Sequence, residues 1–118
     1  MCIRDRVFVD PTNTRRDYYH FSTNTLGTKF EGRVFNSGWN GAWESAAKLG
    51  EDQWTAEIAI PFETVGASTP SWDTKWALNL TRNVTASGGT EHLTWAVPYG
   101  SFHNPDRFGT AVFGGATR

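Results

Sequence analysis

Gln53-Trp54-Thr55-Ala56-Glu57-Ile58-Ala59-Ile60-Pro61-Phe62, QWTAEIAIPF, alternates apolar side chains with small or polar ones and stops at a proline. Side chains on a strand point to opposite faces in turn, so Trp54, Ala56, Ile58 and Ile60 share one face and Thr55, Glu57 and Ala59 the other. The first face is the core face. Pro61 has no N–H for a ladder and ends the strand, which frees Phe62 to turn inward. A single helical turn is expected near Phe62 to Val65. Just upstream, WESAAKL (43–49) has Ala, Glu and Lys that would suit a helix, but Gly50-Glu51-Asp52 makes a short turn into Gln53 and favours a hairpin of two strands.

The rest of the chain follows the same pattern. Six Trp, eight Phe and three Tyr stand beside twelve Gly and one Met. Aromatic residues suit pleated, half-buried surfaces, and Gly, Asn, Asp and Pro supply the turns between them. Strand-like runs lie near 6–10, 17–24, 28–35, 43–49, 53–60, 75–83, 92–97 and 107–113. Their number and spacing predict an all-β fold, an antiparallel β-sandwich.

Composition excludes several functions. The chain of 118 residues has room for one domain, and its net charge of -1 provides no broad basic face for nucleic acid. The lone cysteine, Cys2, excludes an internal disulfide. No apolar run reaches the ~20 residues that a membrane-spanning helix needs. His20, His92 and His103 are scattered, which argues against a zinc site, and Glu44, Glu57, Glu63, Asp73 and Glu91 show no spacing that favours an acid/base pair. Asn79 and Asn83 begin glycosylation sequons but fall in or beside a strand. Glu57 needs a partner if it sits within a sheet, and Arg82, in the run Lys75 to Asn83, is the expected one. Trp43, Trp54, Trp76 and Trp95 begin or lie within strands and are expected in the core. Trp39, Trp72, Tyr99 and Phe102 lie among turn residues, where an aromatic can stay exposed.

FVDP (8–11), YYHFSTN (18–24), WESAAKLGEDQWTAEIAIPF (43–62), KWALNLTRN (75–83), LTW (93–95) and SFHNPDRFGTAVF (101–113) occur in one order that resembles carbohydrate-binding module family 9, a DOMON-related β-sandwich. The resemblance implies a non-catalytic module that targets a larger extracellular or cell-envelope protein to polysaccharide. It also implies an N-terminally truncated domain: residues 7–114 as its C-terminal portion, with upstream strands of the same domain as missing partners, and 115–118 as a tail. Met1 to Arg6, MCIRDR, resembles a non-native lead and is set outside the fold. Within SFHNPDRFG the family places a sugar-clamping aromatic, which corresponds to Phe102, with Asn104 beside it and Tyr99 and Trp72 as further candidates. Here Phe stands where the family has Trp, and Ser22 where an Arg is expected. DOMON relatives that bind haem through Met leave a minor alternative, although Met1 is the only methionine. Structural calcium would draw on Asp10, without a clear ligand set. The competing reading is a structural sandwich packed on a neighbouring domain.

Overall fold

The computed structural model describes residues 2–34, 36, 38–51, 54–86, 89–96 and 103–114. Its eight strands are β1 (Cys2–Asp10), β2 (Tyr19–Asn24), β3 (Lys29–Arg33), β4 (Glu44–Leu49), β5 (Trp54–Ala59), β6 (Lys75–Ala86), β7 (Gly89–Thr94) and β8 (Gly109–Val112). All pairings between them are antiparallel. A six-stranded sheet has the order β3-β2-β1-β6-β7, with β8 also on β6, and the β4–β5 hairpin forms a second layer. The expected all-β, sandwich-like fold is therefore present.

The QWTAEIAIPF stretch behaves as its alternation predicts. Along β5, Trp54 is buried and Ala56 and Ile58 are partly buried, whereas Thr55, Glu57 and Ala59 are exposed. WESAAKL forms β4, with Leu49 opposite Trp54 and Glu44 opposite Ala59. Phe62–Val65 forms the expected helical turn, of 3-10 type, which ends at Gly66 with a φ of 71°, and a second such turn, not expected, spans Pro105–Arg107. That left-handed value suits glycine.

Two cores lie on opposite faces of the large sheet. Val9, Tyr19, Phe21 and Trp76 meet Trp43 and Val65 under the hairpin, with Ile58 and Ile60 against them. Phe8, Tyr18, Ala77 and Phe108 form the second cluster, beneath the C-terminal segment. Arg15 fastens that segment, because its guanidinium donates to the carbonyls of Pro105, Asp106 and Phe108 and to Thr110 Oγ1.

β6 carries two neighbours end to end on one side. Lys75 to Leu78 pair with β8, and Thr81 to Ala86 pair with β7. Asn79, fully buried, fills the break: its carbonyl accepts from the Ala96 N–H at 2.9 Å and its amide donates to the Ala96 carbonyl at 3.2 Å. Trp95 sits at the same break and is 55% exposed, contrary to the core position expected of it. Its ring lies over Gly109, where a Cβ would come within 2.3 Å of it, so it covers bare backbone from outside. Trp43, Trp54 and Trp76 are buried as expected.

Two further expectations are corrected. Residues 2–6 are not outside the fold, since they extend β1 and pair with β6, and from Arg4 onward with β2 as well. In consequence Arg82 finds Asp5 directly across the strand pair, with Nε–Oδ1 at 2.7 Å and Nη2–Oδ2 at 2.9 Å. Its guanidinium carbon also lies 4.8 Å from the Trp54 ring centroid. Glu57 makes no pair with Arg82: it points outward from the hairpin, opposite Ala46.

Candidate functional site

The strand register builds a pocket on the face of the large sheet away from the hairpin. Phe8, His20 and Gly32 form one row across β1, β2 and β3; Arg6, Ser22 and Phe30 form the next; Arg4 and Asn24 form the third. Successive residues alternate faces, so all of these share the face opposite Val7, Tyr19 and Phe21. The resulting cavity of about 520 Å³ is lined by both arginines, His20, Ser22, Asn24 and Phe30, with Val34 and His103 at its sides. Its size is within the usual range of small-ligand sites, roughly 300–1,000 Å³.

Local sequence explains each wall. Gly32 leaves room for His20, because a Cβ there would lie 2.5 Å from the imidazole Nε2. Asn24 Oδ1 accepts the N–H groups of Leu26 and Thr28, each at 3.0 Å, and holds the β2–β3 turn closed. Gly27 in that turn takes a φ of 81°. His103 arrives from the C-terminal segment and stands edge-on to His20, with ring centroids 5.0 Å apart. Its Nδ1 is 2.7 Å from the Tyr18 hydroxyl.

The floor is cationic at one end and neutral elsewhere. Burial, then His103, then Arg6 lower the His20 pKa to about 4. Burial and then Arg6 also lower that of His103. Both imidazoles are thus neutral near pH 7, and His103 can accept the Tyr18 O–H proton at Nδ1. Burial raises the Tyr18 pKa and keeps its hydroxyl a donor. No carboxylate is among the described residues that line this pocket. The paired acids of glycoside hydrolysis are therefore not found in it. What the arrangement offers is an exposed aromatic ring beside hydroxyl, imidazole and guanidinium groups, which suits binding of a polar ring compound.

The residues singled out from the sequence are dispersed. Phe102 and Tyr99 lie outside the described residues. Asn104 follows His103, partly buried, and leads into the 3-10 turn Pro105–Arg107. Trp72 is 58% exposed in the turn before β6 and does not line the pocket. Trp39 is tucked against Tyr19, 5.0 Å between centroids. Asp10 is fully buried and its carboxylate accepts from Thr12 and from the Arg15 N–H. Among the described residues no three His, Cys, Asp or Glu side chains gather as a metal site would require.

His20, Ser22 and Phe30 were missed as site residues. The signal was the alternation in YYHFSTN, where His20, Ser22 and Asn24 point away from Tyr19, Phe21 and Thr23. Phe30 could be added only once its register with Ser22 was known.

A second, more open groove of about 460 Å³ lies between the sheet and β5, lined by Val7, Ala56, Ile58, Leu80, Leu93 and Trp95 among others. Among the described residues no helix is long and apolar enough to cross a membrane. Comparison with curated proteins gives no match. The model of the family described as carbohydrate family 9 binding domain-like matches residues 5–116, nearly the whole chain. By that match, the chain belongs to the carbohydrate family 9 binding domain-like family.

Proposed function

We propose that this domain is a non-catalytic carbohydrate-binding module, which holds a saccharide in the pocket over β1, β2 and β3 and so targets a larger extracellular or envelope protein to polysaccharide. The observation that carries the reading is the composition of that pocket. A sugar ring has apolar C–H faces and a rim of hydroxyls, and the pocket sets one exposed aromatic, Phe30, against Ser22, His20 and His103. Family membership supports the ligand class. The reading rests on residues from His20 onward, with Arg4 and Arg6 closing one end of the pocket. Phe102 and Asn104, which flank His103 in sequence, keep the sugar-contact role that the resemblance gives them.

Isothermal titration of the whole chain with soluble xylan and cello-oligosaccharides tests the reading. Weak but saturable binding, in the micromolar to millimolar range, is expected from one aromatic contact and a few hydrogen bonds, about 4–8 kcal/mol in total. Absence of binding to either glycan class, with the protein folded at millimolar ligand, would refute it.

A second reading has its own observation. Leu80, Leu93 and Trp95 are 45%, 47% and 55% exposed along the groove beside β5. Exposed apolar side chains grouped in this way, beside Asp5 and Arg82, suit packing against a neighbouring domain. Replacing Leu93 and Trp95 with Ser and His should leave sugar binding intact and abolish only such an association, as read by sedimentation velocity.

A further inference from the structure

The saccharide reading leaves open which side chain carries the sugar ring, and the register of three strands answers it. β3 is the edge strand of the large sheet. Phe30 lies on it facing the pocket, directly across from Ser22. On a sheet, a large side chain is normally covered by its cross-strand partner on the same face. Ser22 is too small to do so, and Phe30 remains 47% exposed. Its ring meets that of His20, at 5.6 Å between centroids and 41° between planes.

Isolated exposed apolar residues are ordinary on protein surfaces and need no function. Two features set Phe30 apart. It is the one large apolar side chain of an edge strand, KFEGR, whose Lys29, Glu31 and Arg33 supply the charge that normally blunts such an edge. And most residues that line the pocket with it are polar or charged: Ser22 and Arg6 in its own row, His20 in the row before, Asn24 and Arg4 in the row after, with Val34 as a further apolar one. An aromatic ring beside hydrogen-bonding groups matches the two surfaces of a pyranose.

We propose that Phe30 is the stacking residue of this site: a pyranose ring lies with one C–H face on the Phe30 ring and turns its hydroxyl rim to the Ser22 hydroxyl and the His20 imidazole. The assignment rests on the saccharide reading of the same pocket and adds the residue that fixes ring position. Stacking needs a flat face, so shape matters as well as apolarity. Leucine fills a similar volume without a face; tryptophan offers a larger one.

The test is titration of the whole chain and its Phe30→Ala, Phe30→Leu and Phe30→Trp variants with the xylo- or cello-oligosaccharide that the parent chain binds, each variant first shown by thermal melting to remain folded. Phe30→Ala and Phe30→Leu should both weaken binding about five-fold or more, the factor that ~1 kcal/mol of aromatic contact represents. Phe30→Trp should equal or exceed the parent. Unchanged affinity in the Ala variant would overturn the Phe30 assignment and leave the saccharide reading standing. Leu matching the parent would overturn stacking in favour of plain burial. A parent chain that binds no saccharide would overturn both.

Discussion

Acid should weaken this domain through His20. The imidazole is 7% exposed and stacks on Phe8, with ring centroids 5.8 Å apart and planes 23° from parallel. His103 stands edge-on to it, and Arg6 lies in the neighbouring row. Burial first, then those two cations or potential cations, lower its pKa from 6.5 to about 4. The unfolded chain therefore takes up a proton that the folded chain refuses. A group that binds more protons when unfolded makes stability rise with pH across the interval between its two pKa values. The stabilisation is full above about 6.5, falls as pH drops, and levels off below about 4. At 1.36 kcal/mol per pH unit, an interval of roughly 2.5 corresponds to about 3 kcal/mol. That is a large part of the 5–15 kcal/mol typical of a whole domain, by the usual estimate of about 0.1 kcal/mol per residue.

Urea unfolding at pH steps from 8 to 4, on the parent and on His20→Gln, isolates this contribution. Glutamine cannot titrate, so pH effects from every other group appear in both proteins. The stability of the parent relative to the variant should fall by about 3 kcal/mol from pH 7 to pH 4. Two parallel curves would refute the argument, since His20 would then be as free to protonate in the folded chain as in the unfolded one.

Other outcomes follow from the sheet. Asn79→Ala should cost about 3 kcal/mol in urea unfolding, because it strips both backbone partners from Ala96 at a buried position where no ladder can replace them. Asp5→Asn should cost about 1 kcal/mol, a modest loss because the pair with Arg82 is partly solvated, whereas Glu57→Gln should change stability by less than about 0.5 kcal/mol. A reversal of that order would restore Glu57 as the partner of Arg82.

Much of the fold could be read from local rules. The β5 stretch carries its own face assignment, its own stop at Pro61 and its own short turn, and none of these depends on distant residues. WESAAKL was decided by the turn beside it, against its helical composition. The failures share a cause: each needed a pairing between strands far apart in sequence. The acid that Arg82 pairs with, Asp5, lies 77 residues earlier on β1, within the segment expected outside the fold. Trp95 is expected in the core because it lies within a strand-like run, but the break between β7 and β8 leaves its ring on the outside, over Gly109. The pocket was hidden for the same reason. His20 and Ser22 are ordinary polar positions of an alternating strand until β1 and β3 are placed on either side of β2. Reading aromatics in turns as the exposed ones then pointed to Trp72 and away from Phe30, which sits within a strand.

The pocket's role is tested most directly by following backbone amide resonances of the isotopically labelled chain during titration with xylo- and cello-oligosaccharides. Saturable shifts concentrated at Ser22, Asn24, Phe30 and His103, with Trp72 and the β4–β5 hairpin unchanged, are the result the account predicts. Shifts confined to Trp72, or to Leu93 and Trp95 beside β5, would contradict it and move the binding site to another face of the sandwich.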